Sequence, residues 1–272
     1  MLAEQAIGTK RAPLTQHPVA ATDLGIARIL GKCMDAFTVE SLASGMNAFT
    51  VARPGLILDL PTQWRIYDAL IPVTTKSFGG ADLTPYWTLR MREGYLERLA
   101  AFSLVATPVG ELVGWTGFHI LRCDGCTVVY IDSTGMVPHQ QARGTLFELV
   151  HSQLVGAAMP RCPDDAPVYL AARSENPVVY VSLSRMLLEN ELMYPHPGRA
   201  TPREIAEIAH WVAVWLGQRT AFDEEEQVIR GAFNAVDELY AVRPTTGQIE
   251  IDQMFDRLEG PVDAYLLIGR LR

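Results

Sequence analysis

From Phe102 onward, apolar positions recur at every second residue, the mark of strands. Phe102 to Ala106, Glu111 to Ile120 and Thr127 to Asp132 each follow this period. The breaks between them are short and hold turn formers. Pro108-Val109-Gly110 makes the first, and Asp124-Gly125 suits a type I′ hairpin. Strands joined so tightly form an antiparallel meander.

On either side the period lengthens. Trp64, Tyr67, Ala69-Leu70-Ile71 and Val73 predict a helix over 62–79, interrupted by Pro72 and ended by Gly79-Gly80. A second helix is expected from Thr84, as N-cap ahead of Pro85, to Ala101. Its Arg90, Arg92, Glu93 and Glu97 read as a solvated face. After the meander come a helix from Gly144 to about Ala158, a strand over Pro167 to Ala172 and a helix from Asn176-Pro177 to Glu189. A strand separated from its predecessor by a helix is expected to run parallel to it. Thr201-Pro202-Arg203-Glu204 has the form of a capping box, followed on one helix face by Ile205, Ile208, Ala209, Val212 and Leu216. Asp223-Glu224-Glu225-Glu226 suits the acidic first turn of a further helix toward Tyr240, and Ala264 to Gly269 reads as a buried strand. Near the start, Thr22-Asp23 would cap a short helix through Leu24, Ile26, Ala27, Ile29 and Leu30, and Ala43 to Pro61 reads as strand or loop. No tandem repeat or low-complexity linker divides the chain. One α/β domain with extensions at both ends is expected.

Composition narrows the classes. The chain has 272 residues, 49% hydrophobic and 20% charged, with a formal net charge of −8. That balance argues against a nucleic-acid partner, which needs a basic footprint, and it weakly favours cationic acceptors. No apolar run approaches the ~18–20 residues that span a bilayer, so no membrane partner is expected. The first residues lack a charged segment leading into an apolar one, which points to the cytoplasm. Of the four cysteines, Cys123 and Cys126 flank Asp124-Gly125 and read as hairpin residues rather than a zinc half-site. Cys33 and Cys162 supply no second pair, so no metal is expected.

The chemistry concentrates in Met136-Val137-Pro138-His139-Gln140-Gln141-Ala142-Arg143-Gly144-Thr145-Leu146. It is a polar turn between a strand and a helix, where unpaired N–H groups and the helix dipole favour an anion, most often phosphate. The Val-x-Pro-like Met136-Val137-Pro138, followed by Gln141, Arg143 and Gly144 at matching spacing, resembles the GCN5-related N-acetyltransferase (GNAT) superfamily. Leu146 stands where that family has a small residue. The order of elements agrees over 62–190. Leu192-Met193-Tyr194-Pro195, Phe222-Asp223 and Val228 to Phe233 are similar to a long-form, less characterised branch. The resemblance implies a mixed, mainly antiparallel sheet flanked by helices, with an N-terminal extension (1–61), an acyl-CoA-binding core (62–190) and a C-terminal extension (191–272) whose last strand joins the sheet.

It also implies a reaction and a site. Met136, Val137 and Pro138 would flank the pantetheine arm of acetyl-CoA. Gln141, Ala142, Arg143, Gly144, Thr145 and Leu146 would hold its phosphates, and Asn176 would open the cofactor-facing helix. The family often has a Tyr on that helix to protonate the departing thiolate. Ser184 occupies that place here, and Tyr180, one turn earlier on the same face, is the substitute. For the base, Asp132 is the first choice. Tyr130 shares its strand face, His139 and Glu175 are reserves, and His119 on the neighbouring strand reads as structural. Backbone N–H near Met136 and Val137 would stabilise the oxyanion. The expected activity is N-acetylation of a small-molecule amine. O-acyl transfer, a carrier-protein-dependent or decarboxylating enzyme, a non-catalytic acyl-CoA-binding module and homodimerisation stay open.

Overall fold

A computed structural model describes residues 25–272 except 142–143, 164–165 and 241. The strands are β1 (Thr38–Ser41), β2 (Asn47–Ala52), β3 (Ala101–Ala106), β4 (Leu112–Cys123), β5 (Cys126–Met136), β6 (Val168–Ser174), β7 (Phe222–Asp223), β8 (Val228–Ile229) and β9 (Ala264–Arg270). The α-helices are α1 (Ile26–Leu30), α2 (Pro54–Ile57), α3 (Leu60–Ser77), α4 (Thr84–Arg92), α5 (Tyr95–Arg98), α6 (Pro138–Gln141), α7 (Thr145–Gln153), α8 (Pro177–Ser184), α9 (Arg203–Trp215) and α10 (Ile249–Phe255). The strands form one sheet of nine in the order β1-β2-β3-β4-β5-β6-β9-β8-β7. Every pairing is antiparallel except β5 with β6, which are parallel as the intervening helix requires.

Alternation along the central strands sends side chains to two layers. Val129, Ile131, Leu170 and Leu267 pack with Val150 of α7, Leu183 of α8 and Phe255 of α10. Val128, Tyr130, Ala171 and Leu266 face the other way, against Ile205, Ile208 and Val212 of α9. Each of those three branched side chains contributes roughly 1.5–3 kcal/mol by its burial. A third cluster joins α1, α3 and α4 to β2, β3 and β4, with Trp87, Tyr95 and Trp115 at its centre.

Several expectations need correction. The second predicted helix is two, α4 and α5, because Gly94 turns left-handed at φ 66° between them. Its entry is held by Asp82, whose side chain accepts from the Thr84 N–H at 3.0 Å, rather than by Thr84. Arg90 is buried, not solvated. The capping box at α9 does not form: Thr201 donates to Gln227, and Glu204 accepts from the Tyr169 hydroxyl. The acidic run opens no helix. Asp223 Oδ1 accepts from the N–H groups of Glu225 and Glu226, and the chain turns back as the β7–β8 hairpin.

Asp124-Gly125 turns the β4–β5 hairpin, and Cys123 and Cys126, opposite each other in register, are disulfide-bonded. The expected cap at Thr22-Asp23 lies outside the described residues, while Ile26–Leu30 is helical. Among the described residues, no helix is long and apolar enough to cross a membrane, and no group of three or more metal-ligating side chains is assembled.

Candidate functional site

The site begins where β5 and β6 part. They pair from Thr127↔Val168 to Ile131↔Ala172 and no further. β5 then continues with β4 to Met136, while β6 stays with β9 to Ser174. The parting coincides with a bulge. Thr116 pairs with Thr134 but Phe118 with Ile131, so Asp132 and Ser133 stand against Gly117, and Ser133 takes φ 57°. Gly135, further along β5, is glycine because a Cβ there would run into the Trp115 ring.

The bulge is stitched from both sides. Tyr95 donates its hydroxyl proton to the Asp132 carbonyl at 2.7 Å, and Trp115 Nε1–H donates to Ser133 Oγ at 3.0 Å. A Cβ on Gly117 would sit 2.6 Å from the Tyr95 oxygen, so the tyrosine reaches the bulge because that position is glycine. The bulge aims the Asp132 carboxylate at the buried Arg90, which donates from Nη1 and Nη2 at 2.6 and 2.7 Å. His119 Nε2 lies 3.1 Å from Asp132 Oδ2, and its Nδ1 lies 3.1 Å from the Arg98 carbonyl. Burial alone would raise the Asp132 carboxyl, but the Arg90 charge and the hydrogen bonds from His119 and Arg90 outweigh it. They hold it well below the usual carboxylate range.

Two cavities meet at this point. A slot of about 370 Å³ lies between the diverging strands, walled by β5 from Tyr130 to Met136, by Ala172 to Asn176, by α8, and by Phe233, Leu239 and Tyr240 from the later chain. A second cavity of about 490 Å³ lies on the α9 side, lined by His119, Trp215, Gln218 and Phe233 among others. Tyr86, Arg90, Asp132, Arg173 and Phe233 line both.

Of the residues expected here, Tyr130, Asp132, Met136, Gln141, Gly144, Leu146 and Asn176 line the slot. Val137, Pro138 and His139 do not; they border a shallow cavity beside Lys76 and Leu112. The Val137 N–H is committed to the Val113 carbonyl at 2.9 Å, so it is no oxyanion donor. Gln141 turns its amide inward, donating to the carbonyls of Met136 and Ser77. Thr145 is buried, and its hydroxyl has no hydrogen-bond partner. Ala142 and Arg143 lie outside the described residues. Tyr180 is absent from the slot lining: its hydroxyl donates to the Met193 carbonyl at 3.0 Å within the core. Tyr130 accepts from Arg173 Nε at 2.8 Å, and burial pushes its phenol up to about 12.

Glu175, named only as a reserve, faces the slot with a carboxyl shifted the opposite way from that of Asp132. It is 3% exposed, and its Oε2 has no hydrogen-bond partner. Burial pushes its carboxyl up to about 8. Beside it, Asn176 Oδ1 caps α8 by accepting from the Val178 N–H, and Asn176 Nδ2 donates to the Tyr240 hydroxyl at 3.0 Å. Burial raises the Tyr240 phenol well above its ordinary value. The sequence pattern missed Arg90, Arg173 and Tyr240. Only the fold brings them together, although an arginine within the apolar strand β6 was a signal that something must receive its charge.

No family model and no curated protein sequence matches the chain. Solved structures do resemble it. The ribosomal-protein-S18-alanine N-acetyltransferase of Escherichia coli is 11% identical at TM-score 0.41, over 82% of this chain and 94% of that one. The IAA acetyltransferase of Bacillus cereus is 10% identical at TM-score 0.40, over 82% and 99%. A GNAT family N-acetyltransferase of Escherichia coli in complex with CoA is 14% identical at TM-score 0.33, over 42% of this chain and only 60% of that one. At such scores the likeness carries no functional conclusion, and the site has to be read from its own geometry.

Proposed function

We propose that the chain is an acyl-CoA-dependent acyltransferase that moves an acetyl group from acetyl-CoA to a small-molecule amine. The observation that carries this reading is the parting of β5 from β6 after Ile131 and Ala172. It leaves one edge of β5 without a strand partner along the slot. A linear ligand bearing amides suits such an edge, because its own N–H and C=O groups can complete the ladder. Beyond Met136 the slot reaches Gly144, which leads into α7. There the first-turn N–H groups lack intrahelical partners and favour a phosphate. In this reading residues 62–190 carry the slot, and the chain beyond 191 closes it with Phe233 and Tyr240.

The thioester supplies an activated carbonyl and a thiolate leaving group. Glu175 is assigned as the acid for that thiolate; as the C–N bond replaces the C–S bond, the proton lost by the amine nitrogen passes to solvent and restores the Glu175 carboxyl. A carboxyl near 8 is protonated at neutral pH and close to the ordinary thiol value of about 8.5. Tyr240, held by Asn176, is the second donor at the same place. Asp132 is an anchor rather than the base, since it is a weak proton acceptor while Arg90 and His119 engage its oxygens. It fixes the junction through which an amine from the second cavity reaches the slot.

Thermal unfolding with acetyl-CoA tests the binding half. Ligand at a hundred times its Kd stabilises a protein by about 2.7 kcal/mol. No shift at millimolar acetyl-CoA would remove the reading. An amine panel with a free-thiol readout tests the chemistry. Stabilisation without thiol release from any amine would leave a non-catalytic acyl-CoA-binding module.

A further inference from the structure

Arg173 stands where the slot meets the second cavity, and among the described residues it has no acidic partner. Its Nε–H donates to the Tyr130 hydroxyl at 2.8 Å. Its Nη1 donates to Gln218 Oε1 at 2.6 Å and to the Ala232 carbonyl at 3.1 Å. The Phe233 ring lies 5.3 Å from the guanidinium carbon. All four neighbours are neutral. The other two arginines lining the second cavity are matched, Arg90 by Asp132 and Arg98 by Glu93 at 3.7 Å. A half-buried cation without a counter-ion is unfavourable unless something supplies the missing charge.

The geometry says where that charge would go. A guanidinium carries five N–H groups in one plane. The contacts above engage Nε and Nη1, which leaves Nη2. Three fixed hydrogen bonds and the Phe233 face hold the plane still, so the guanidinium is oriented before any ligand arrives. The charged Nη2 donors, held in a fixed direction, favour an anionic oxygen such as a carboxylate's over a neutral acceptor. The net charge of −8 does not oppose this, because a local cation outweighs remote charge within its own cavity.

We propose that Arg173 binds a carboxylate of the substrate pair, carried either by the amine acceptor or by the far end of the acyl group. Both sources reach the same place because Arg173 lines both cavities. The proposal rests on the acyl-transfer reading and replaces the cationic acceptor that net charge alone suggested.

The test compares ligands that differ only in this charge. Amino acids are set against their carboxamides as acceptors with acetyl-CoA, and succinyl-CoA against butyryl-CoA as donors with a neutral amine. The wild type is expected to prefer the carboxylate member of one pair at least tenfold in kcat/KM. The arm that shows the preference identifies the source. In Arg173→Gln the ratio should fall toward one, and Arg173→Lys should restore part of it. Gln218→Glu, which gives Arg173 an internal counter-ion and leaves the arginine in place, should lower the ratio as well. Equal rates within both pairs, or a preference retained in Arg173→Gln and Gln218→Glu, would overturn the proposal. Thermal shifts with the same amino acids and amides read the interaction without turnover. If acetyl-CoA fails to bind but the carboxylates still stabilise the wild type above Arg173→Gln, the acyl-transfer reading falls and the anion site stands. If acetyl-CoA binds and the carboxylates show no advantage, the reverse holds.

Discussion

Arg90 and Asp132, 42 residues apart, meet through two parallel hydrogen bonds of 2.6 and 2.7 Å, with both side chains almost wholly out of solvent. α4 is thereby fixed to the point where the β5–β6 slot opens. Removing one partner leaves the other charged and buried, which costs about 3–5 kcal/mol. Arg90→Met and Asp132→Asn should each lower stability by that order in urea unfolding. The double variant Arg90→Met/Asp132→Asn should lose less than the sum. Additive losses would show that the pair is not coupled.

Glu175 gives a pH signature. Its folded value near 8 lies above the unfolded 4.5. The native state therefore keeps a proton that the unfolded chain has released. Stability from this group is complete below about 4.5, declines as pH rises, and is lost by about 8. Glu175→Gln should flatten that decline, ending a few kcal/mol above the wild-type trend at pH 8. Unfolding at pH 5 and at pH 8 measures it; parallel curves for the two proteins would contradict the raised carboxyl.

Two tyrosines separate the catalytic assignments. Tyr240→Phe removes a hydroxyl that lines the slot and should lower kcat with little change in KM for acetyl-CoA. Tyr180→Phe removes a core hydrogen bond to Met193 and should cost about 1 kcal/mol of stability while turnover persists. The reverse pattern in single-turnover thiol release would restore the assignment that helix register suggested.

Gly135 tests the slot edge itself. Gly135→Ala drives a methyl against the Trp115 ring. Such overpacking costs about 1–3 kcal/mol, and the displaced edge should weaken acetyl-CoA binding more than it weakens folding. Titration of acetyl-CoA into Gly135→Ala decides this, and an unaltered Kd would mean that the edge does not bind the ligand.

What could be read in advance followed from local regularity. The period-two runs became β3, β4 and β5, Asp124-Gly125 became a hairpin turn, and the helix between β5 and β6 made them parallel. These depend on neighbours in the chain. Arg90 departs from the usual solvation of helix-face charge because its partner lies on a strand that no local pattern connects to it. Helix register favours Tyr180, but α8 turns that face into the core, where Met193 takes its hydroxyl. Tyr240 lay in a segment expected to be helical, and Asn176 reaches it only through the tertiary fold. The acidic run had two local outcomes, and an Asx turn at Asp223 won over a helix start.

The sheet order has a further consequence, for the time at which the fold can complete. β9 lies between β6 and β8, yet it follows both in the chain. During synthesis, β1 to β6 can pair in sequence while β6 keeps one bare edge, a template for strand addition by other chains. Only when Ala264–Arg270 arrives is that edge sealed, and β8 then gains a neighbour. Closure over such sequence distances is slow. The nascent protein therefore passes through a stage when its central sheet is exposed, and the segment bearing Tyr240 is anchored to the sheet on both sides only as that stage ends.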